Sequence, residues 1–405
     1  MQSESQKSAI ASFLRQSQQI PGAVWTLGFV SLLMDVSSEM IHALLPVYLV
    51  TVLGTSTLTV GIIEGVAEAT ASVVKVFSGA LSDWLGKRKF LAALGYGLAA
   101  FAKPIFPLAS SAGWVVAARF IDRVGKGIRG APRDALIADI APPNLRGASF
   151  GLRQSLDTVG AVIGPLAAIG LMWATADHFV SVFWTACIPA FLSLALILIA
   201  VREPHRAAQS RKVRMPLSRD ELGRLGGAYW WLIAVATVFS LARFSEAFML
   251  LRAQSVGLPV MLVPLVMVVM NIVYALAAYP AGALSDSMSR TTMLIIGLFA
   301  LLAADFVLAF ATDATTVVFG AALWGLHLGF TQGLFAAMVA DTAPTDLRGT
   351  GYGVFNLITG LALLLASVVA GALWDAAGPR VTFAAGAVFV VLTLAGLMPV
   401  RQRLR

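Results

Sequence analysis

Cysteine and charge are both scarce in this sequence, and each scarcity excludes a class of protein. A single cysteine, Cys187, rules out a disulfide framework and a thiolate metal site. Charged residues make up 12% of the 405 residues, whereas an ordinary soluble domain carries about a quarter. The sequence also shows no nucleophile and base at catalytic spacing and no glycine-rich phosphate loop, so we predict neither enzymatic activity nor a cofactor or resident metal.

Long apolar runs dominate the chain instead. Hydrophobic residues account for 58% of it, and runs of about 20 residues recur, each long enough to span ~30 Å of hydrocarbon. We therefore predict an all-α membrane protein with twelve transmembrane helices. The predicted spans are residues 22–50, 59–81, 90–109, 113–138, 149–172, 179–201, 228–251, 259–283, 291–312, 314–340, 350–373 and 379–399.

One connection between the predicted spans, residues 202–227, is long, polar and strongly basic. It divides the chain into two predicted six-helix bundles, residues 21–201 and 228–399. Two short polar segments, residues 1–20 and 400–405, flank these bundles.

The distribution of Lys and Arg predicts the orientation, because these residues concentrate in cytoplasmic loops. The basic linker shares one side with the loops that contain Lys87–Lys89, Arg146, Arg290 and Arg348. We therefore predict that both termini are cytoplasmic and that the protein lies in the inner cell membrane. The same bias explains the net charge of +8, so nucleic acid is not an expected partner.

The two predicted halves repeat each other. Gly79-Ala-Leu-Ser-Asp83 recurs as Gly282-Ala-Leu-Ser-Asp286, an offset of 282 − 79 = 203. The pattern Ala-Asp-x-Ala-Pro-x-x-Leu-Arg-Gly begins at Ala138 and again at Ala340, an offset of 340 − 138 = 202. A helix and its counterpart six helices later cross the membrane in the same direction. The halves are therefore predicted to be parallel, pseudo-symmetric repeats.

Three local motifs lie at informative positions. The first motif, in the loop after the second span, is Gly79-x-Leu-x-Asp83-x-x-Gly86-Lys87-Arg88-Lys89. The second motif, in the fourth span, is Arg119 followed six residues later by Gly125. The third motif, in the fifth span, is Gly160-x-x-x-Gly164-Pro165. At these positions they resemble the signature loop, the proton-coupling segment and the antiporter motif of the major facilitator superfamily of secondary transporters. The resemblance covers residues 22–399.

This resemblance implies two rocking bundles around a central cavity with alternating access, and the third motif favours export. Asp83 is then expected to face the positive N-terminus of a neighbouring helix and hold the inner gate shut, although Lys87–Lys89 could equally anchor the loop to anionic lipid. The sequence departs from the family pattern at Trp84, where a basic residue is usual. In the second-half copy of the motif, Ser289 and Arg290 replace Gly86 and Lys87.

Charges inside the predicted spans are concentrated in the first half. The segment Arg119–Asp134 places seven charges within roughly 140° of one helix face. A charge at the bilayer centre costs from ~3 to more than 10 kcal/mol, so this face cannot contact lipid. The residues predicted to bind substrate or couple protons are Asp35, Glu39, His42, Glu64, Glu68, Arg119, Asp122, Arg123, Lys126, Arg153 and Asp157.

We expect Asp35, Glu39 and Glu68 to titrate, with Arg119 and Arg123 as their partners. The predicted function is a proton-coupled exporter of a small organic solute, amphipathic with a charged or polar group, that acts as a monomer. The alternatives are a divalent-metal exporter that uses the carboxylates with His42, an organic-anion transporter, and a receptor that transports nothing. These charges could also form ion-pair networks that only fix helix packing.

Overall fold

The computed structural model describes residues 19–203, 219–285, 288–344 and 347–403. Most of the predicted N-terminal segment and of the basic linker therefore lies outside the described residues. The side chain of Asp83 and those of the C-terminal segment also lie outside them. All elements within the described ranges are helices.

Eight α-helices make up the first half, residues 22–200. They are α1 Gly22–His42, α2 Leu45–Thr51, α3 Thr57–Leu85, α4 Arg88–Ala102, α5 Ile105–Leu108, α6 Ala112–Ile140, α7 Arg146–Ala174 and α8 Phe179–Ala200. A 3₁₀ turn, Pro143–Leu145, leads into α7. Gly86 ends α3 in the left-handed conformation, with φ of 64°, a role for which glycine is favoured because it has no Cβ.

Nine further helices follow in the described ranges after residue 203. They are α9 Arg219–Gly223, α10 Gly227–Ala242, α11 Ala247–Ser255, α12 Leu265–Ser285, α13 Arg290–Phe310, α14 Ala314–Thr331, α15 Leu334–Thr342, α16 Arg348–Ala377 and α17 Pro379–Arg403. A 3₁₀ turn, Val260–Leu262, precedes α12. The first and seventh predicted spans are each interrupted, after α1 and after α10, so the break is repeated in both halves.

Ten helical segments of the described chain are long and apolar enough to cross a membrane. The two long helices outside that set, α3 and α6, have 29 residues each and carry most of the first-half charges. Both helices are as long as the segments in that set. An all-α, multi-pass membrane protein is confirmed; the count of twelve spans stays a prediction.

Glycines allow the closest contacts between helices of the first half. A Cβ on Gly95 of α4 would lie 2.6 Å from the carbonyl oxygen of Gly125 on α6. Cβ atoms on Gly160 and Gly164 of α7 would each lie 2.8 Å from a carbonyl oxygen of α1. Both pairs of helices therefore pack with backbone against backbone, which no larger residue would permit.

The two halves carry the same ion pair at one end. Arg88 lies 2.6 Å from Asp139, and Arg290 pairs with Asp341. Both partners are shifted by 202 residues, since 290 − 88 and 341 − 139 both equal 202. Arg290 is thus the counterpart of Arg88, which corrects the alignment in which it replaced Lys87. We call the end with these pairs the basic end.

Candidate functional site

A cavity of about 500 Å³ lies between the two halves. Helices α1, α3, α6 and α7 of the first half line it, together with residues of α12, α16 and the α14–α15 connection. Ten charged side chains line it, and all come from the first half: Asp35, Glu39, Glu68, Asp134, Asp157, Lys75, Lys126, Arg129, Arg133 and Arg153. The second half contributes the neutral polar residues Asn271, Tyr274, Gln332 and Asn356. Five carboxylates thus face five cations on a single side of the cavity.

The cavity is accessible towards the basic end. Lys75 and Lys126 are exposed, and the side chains of Glu68 and Asp134 are 40% and 41% exposed although they belong to helices of membrane-crossing length. A hydrated space is the only environment in such helices that tolerates this exposure.

The opposite end is closed by α3 and α16. A Cβ on Gly371 of α16 would lie 2.6 Å from the carbonyl oxygen of Thr57, and one on Gly65 of α3 would lie 2.8 Å from that of Leu364. Asp375, near the end of α16, accepts hydrogen bonds from the amides of Thr57 and Leu58 at the start of α3. Its carboxylate also pairs with the Thr57 hydroxyl. A carboxylate of one half therefore caps a helix N-terminus of the other.

Behind the cavity wall, Glu64 is the centre of a buried ionic chain. Its carboxylate accepts two hydrogen bonds from Arg119 Nη2, at 2.7 and 2.9 Å, and a third from Nε at 3.3 Å. His42 lies between Glu64, at 3.4 Å, and the cavity-lining Glu39, at 3.5 Å. Ionisable groups are therefore in continuous contact from the cavity to the buried Arg119.

A second buried pair joins α4 to α6. Lys103 donates to Asp122 at 2.9 Å and to Ser38 at 3.0 Å, and it is 1% exposed. Arg123 lies 3.3 Å from Glu68 and 3.9 Å from Asp122, which connects this pair to the cavity. Lys103 was not among the site residues predicted from the sequence. The one feature that could have identified it is that it is a lone lysine within an apolar run.

Near the basic end, charged side chains of α6 and α7 form ion pairs within each helix and between the two helices. Arg153 donates to Asp157 at 2.7 Å, and Arg133 lies 3.2 Å from Asp134 and 4.0 Å from Asp157. Arg129 lies over the ring of Tyr96, 4.9 Å from its centroid.

Asp35, Lys75 and Lys126 differ from these paired groups. All three line the cavity, and within the described part of the chain none of the three side chains makes a hydrogen bond or an ion pair. Asp35 is the one cavity-lining carboxylate among the described residues in this condition. An unpaired carboxylate and two unpaired ammonium groups are thus available to a ligand.

The predicted site residues fall into two groups. Six of them line the cavity: Asp35, Glu39, Glu68, Lys126, Arg153 and Asp157. The other five form the buried chains behind it: His42, Glu64, Arg119, Asp122 and Arg123.

The motif residues mostly shape the backbone. Gly79 packs towards Ala131 of α6, and Pro165 lies inside α7. The gate expected at Asp83 concerns a side chain outside the described residues. Among the described residues, no three His, Cys, Asp or Glu are grouped so that they could hold a metal ion.

Comparisons with known proteins agree with this architecture. The chain is 32% identical to an uncharacterised MFS-type transporter of Methanocaldococcus jannaschii, over 91% of this chain and 92% of that protein. It is 26% identical to the multidrug resistance protein MdtH of Edwardsiella ictaluri, over 53% of this chain and 62% of that protein.

Solved structures share the fold at low identity. A mutant of the nucleoside transporter NupG matches 93% of this chain and 99% of its own, with a TM-score of 0.79 and 13% identity. A bacterial homologue of the human lysosomal transporter Spinster, in an inward-facing and unoccupied conformation, matches 94% of this chain and 96% of its own, with a TM-score of 0.74 and 18% identity. The sequence model of the Major Facilitator Superfamily matches residues 27–273 and 247–404, and the chain belongs to this family of transporters.

Proposed function

We propose that this transporter is a proton-coupled exporter of a small organic solute with a charged polar group. The observation that carries the proposal is the cavity of about 500 Å³, in which Asp35 is the one described carboxylate of the five that makes no hydrogen bond or ion pair. A proton and a cationic group of the solute would compete for this carboxylate. Such competition is the simplest physical basis for exchange of one for the other.

The transport cycle follows from the two ends of the cavity. The solute enters from the basic end, where the cavity is accessible, and its cationic group takes the place of a proton on Asp35. The two six-helix bundles then rock, the α3–α16 contact opens, and protonation of Asp35 from the other side releases the solute. Glu39, His42 and Glu64 provide a connected set of groups that could carry a proton away from the cavity.

The orientation is part of the same proposal. The basic end carries Arg88, Arg146, Arg290 and Arg348, so the positive-inside bias assigns it to the cytoplasm of the inner membrane, with both termini on that side. The antiporter-like segment Gly160–Pro165 and the similarity to a multidrug resistance protein support the outward direction.

The alternatives have less support. A metal exporter needs a cluster of ligands, and the described His and carboxylate side chains offer none of three or more. An organic-anion transporter would be expected to have an excess of cations, whereas five carboxylates and five cations line this cavity.

Asp35→Asn is expected to reduce ΔpH-driven transport at least tenfold, because an amide cannot bind and release the proton. Everted membrane vesicles are energised with an acidic interior and offered a panel of zwitterionic and cationic organic solutes. The wild type should accumulate at least one solute, and nigericin should abolish the accumulation. Downhill exchange of that solute should weaken as well, because its cationic group loses its carboxylate partner.

The matched control is Asp134→Asn, which alters a cavity carboxylate that already lies 3.2 Å from Arg133. It should retain most of the ΔpH-driven accumulation. Wild-type transport that is indifferent to ΔpH would refute the coupling, and equal losses in both variants would refute the special role of Asp35.

A further inference from the structure

A second space lies on the outer side of the cavity wall, between α7 and α12. This cleft has a volume of about 600 Å³, and most of its walls are apolar. Val159 and Ile163 of α7 are 44% and 42% exposed there, and Ile272 and Leu276 of α12 are 41% and 70% exposed. These residues belong to two membrane-crossing segments, so the open side of the cleft faces the bilayer.

The cleft and the charged cavity share part of their walls. Gln154 and Thr158 of α7 and Tyr274 of α12 line both spaces. Beside them, Asn271 of α12 donates a hydrogen bond to the carbonyl oxygen of Ala161 at 3.1 Å, which ties the two helices together. Three polar side chains therefore lie at the boundary between a lipid-facing cleft and a hydrated cavity.

The length of the cleft matches one lipid chain. Its α7 wall extends from Gly151 to Ile163, which is about 18 Å at 1.5 Å per residue. One leaflet contributes about half of the ~30 Å hydrocarbon thickness. Gly151 lies five residues from the start of α7, so the cleft reaches from near the basic end to the middle of the bilayer.

The charges of the cavity indicate the polar group that would accompany such a chain. Within the described part of the chain, the side chains of Asp35, Lys75 and Lys126 make no hydrogen bond or ion pair, and five negative and five positive side chains line the cavity. A head group with one cation and one anion fits these groups, since a singly charged head group would leave either the carboxylate or the ammonium groups without a partner.

We propose that the α7–α12 cleft is a lateral portal for a single-chain zwitterionic amphiphile. The head group binds in the charged cavity, and the apolar chain stays in the cleft, where it contacts the bilayer leaflet at the basic end. The apolar chain then never has to cross the charged wall of the cavity, whose side chains would cost several kcal/mol if they lost their water. This inference rests on the proposed transport function and names its substrate class.

Photolabelling tests the portal. The purified protein in diacyl phosphatidylcholine vesicles is exposed to lysophosphatidylcholine with a diazirine in its chain, and labelled peptides are identified by mass spectrometry. We expect labelling of residues 151–163 and 272–278, and competition by excess unlabelled lysophosphatidylcholine. Ala275→Trp, at an exposed position that lines the cleft and not the cavity, should reduce the labelling at least fivefold.

Ala195→Trp is the matched control, because Ala195 is also an exposed alanine, lies on α8 and lines neither space. It should be labelled like the wild type. Ser155→Trp, which narrows the same cleft from α7, provides a second variant if Ala275→Trp does not fold as judged by size-exclusion chromatography.

Two results would overturn the portal: labelling outside the cleft, or equal labelling of the cleft by a diazirine-bearing diacyl phosphatidylcholine that excess lysolipid does not displace. The second result would identify bulk lipid as the occupant. If the wild type shows ΔpH-driven transport of a water-soluble solute while specific labelling is absent, the portal fails and the exporter stands. If specific labelling is present but transport ignores ΔpH, the portal stands and the proton coupling fails.

Discussion

Glu64→Gln is expected to lower the free energy of unfolding by about 3–5 kcal/mol, because it leaves the guanidinium of Arg119 buried without its counter-charge. The side chains of Glu64 and Arg119 are 2% and 3% exposed, and two hydrogen bonds shorter than 3 Å join them. Thermal unfolding of the detergent-purified protein, followed by tryptophan fluorescence, measures the loss.

The double variant Glu64→Leu with Arg119→Met is the control for this prediction. It removes both charges together, and such replacements of buried pairs are often neutral or stabilising. The double variant should therefore unfold at a higher temperature than either single variant. If it unfolds below both of them, the two residues contribute independently and the pair is not the source of the stability.

Asp375→Ala is expected to open the end of the molecule opposite the basic end. The carboxylate joins α16 of the second half to the first two residues of α3, and hydrogen bonds to a charged group are each worth about 1.5–3 kcal/mol. The carboxylate also opposes the positive end of the α3 dipole. Losing even one such hydrogen bond should shift the balance between closed and open forms by about 10- to 100-fold, since 1.4 kcal/mol corresponds to tenfold.

Spin labels at Val52→Cys and Ala377→Cys, in a Cys187→Ser background, report this opening by pulsed electron resonance. Both positions are exposed at the closed end, and each belongs to a different half. The wild type should give mainly one short distance, and Asp375→Ala should add a longer population. An unchanged distance distribution would show that packing of α3 on α16, and not the carboxylate, keeps this end closed.

Asp313→Ala is the matched control for the opening. Asp313 also caps a helix N-terminus, but its partner Thr316 lies in the same half. Hydrogen bonds from the amide and hydroxyl of Thr316 lower the pKa of Asp313, so the capping group is ionised at neutral pH as a carboxylate at a helix N-terminus should be. Its removal should leave the distance between the two labels unchanged.

Much of the fold could be predicted from the sequence, and the reasons are local. Apolar runs of about 20 residues fix the membrane-crossing helices without reference to their neighbours. Two matches near an offset of 202 residues predicted the repeat, and the equivalent pairs Arg88–Asp139 and Arg290–Asp341 agree with it. The charges on α6 had to avoid lipid on energetic grounds, and that face does lie along a cavity and buried partners.

The partner of each charge was decided by tertiary structure. Asp35 and Glu64 are both carboxylates inside predicted membrane spans. Within the described residues, Asp35 lines the cavity without an ion pair, whereas Glu64 is buried against Arg119. The difference depends on how α1, α3 and α6 rotate against each other, and contacts far apart in sequence set that rotation. For the same reason the roles of Lys103 and Asp375 could not be predicted, because their partners lie on other helices. The sequence by itself therefore determined the helices and their need for a hydrated interior, while packing alone decided which charges pair and which remain free for a ligand.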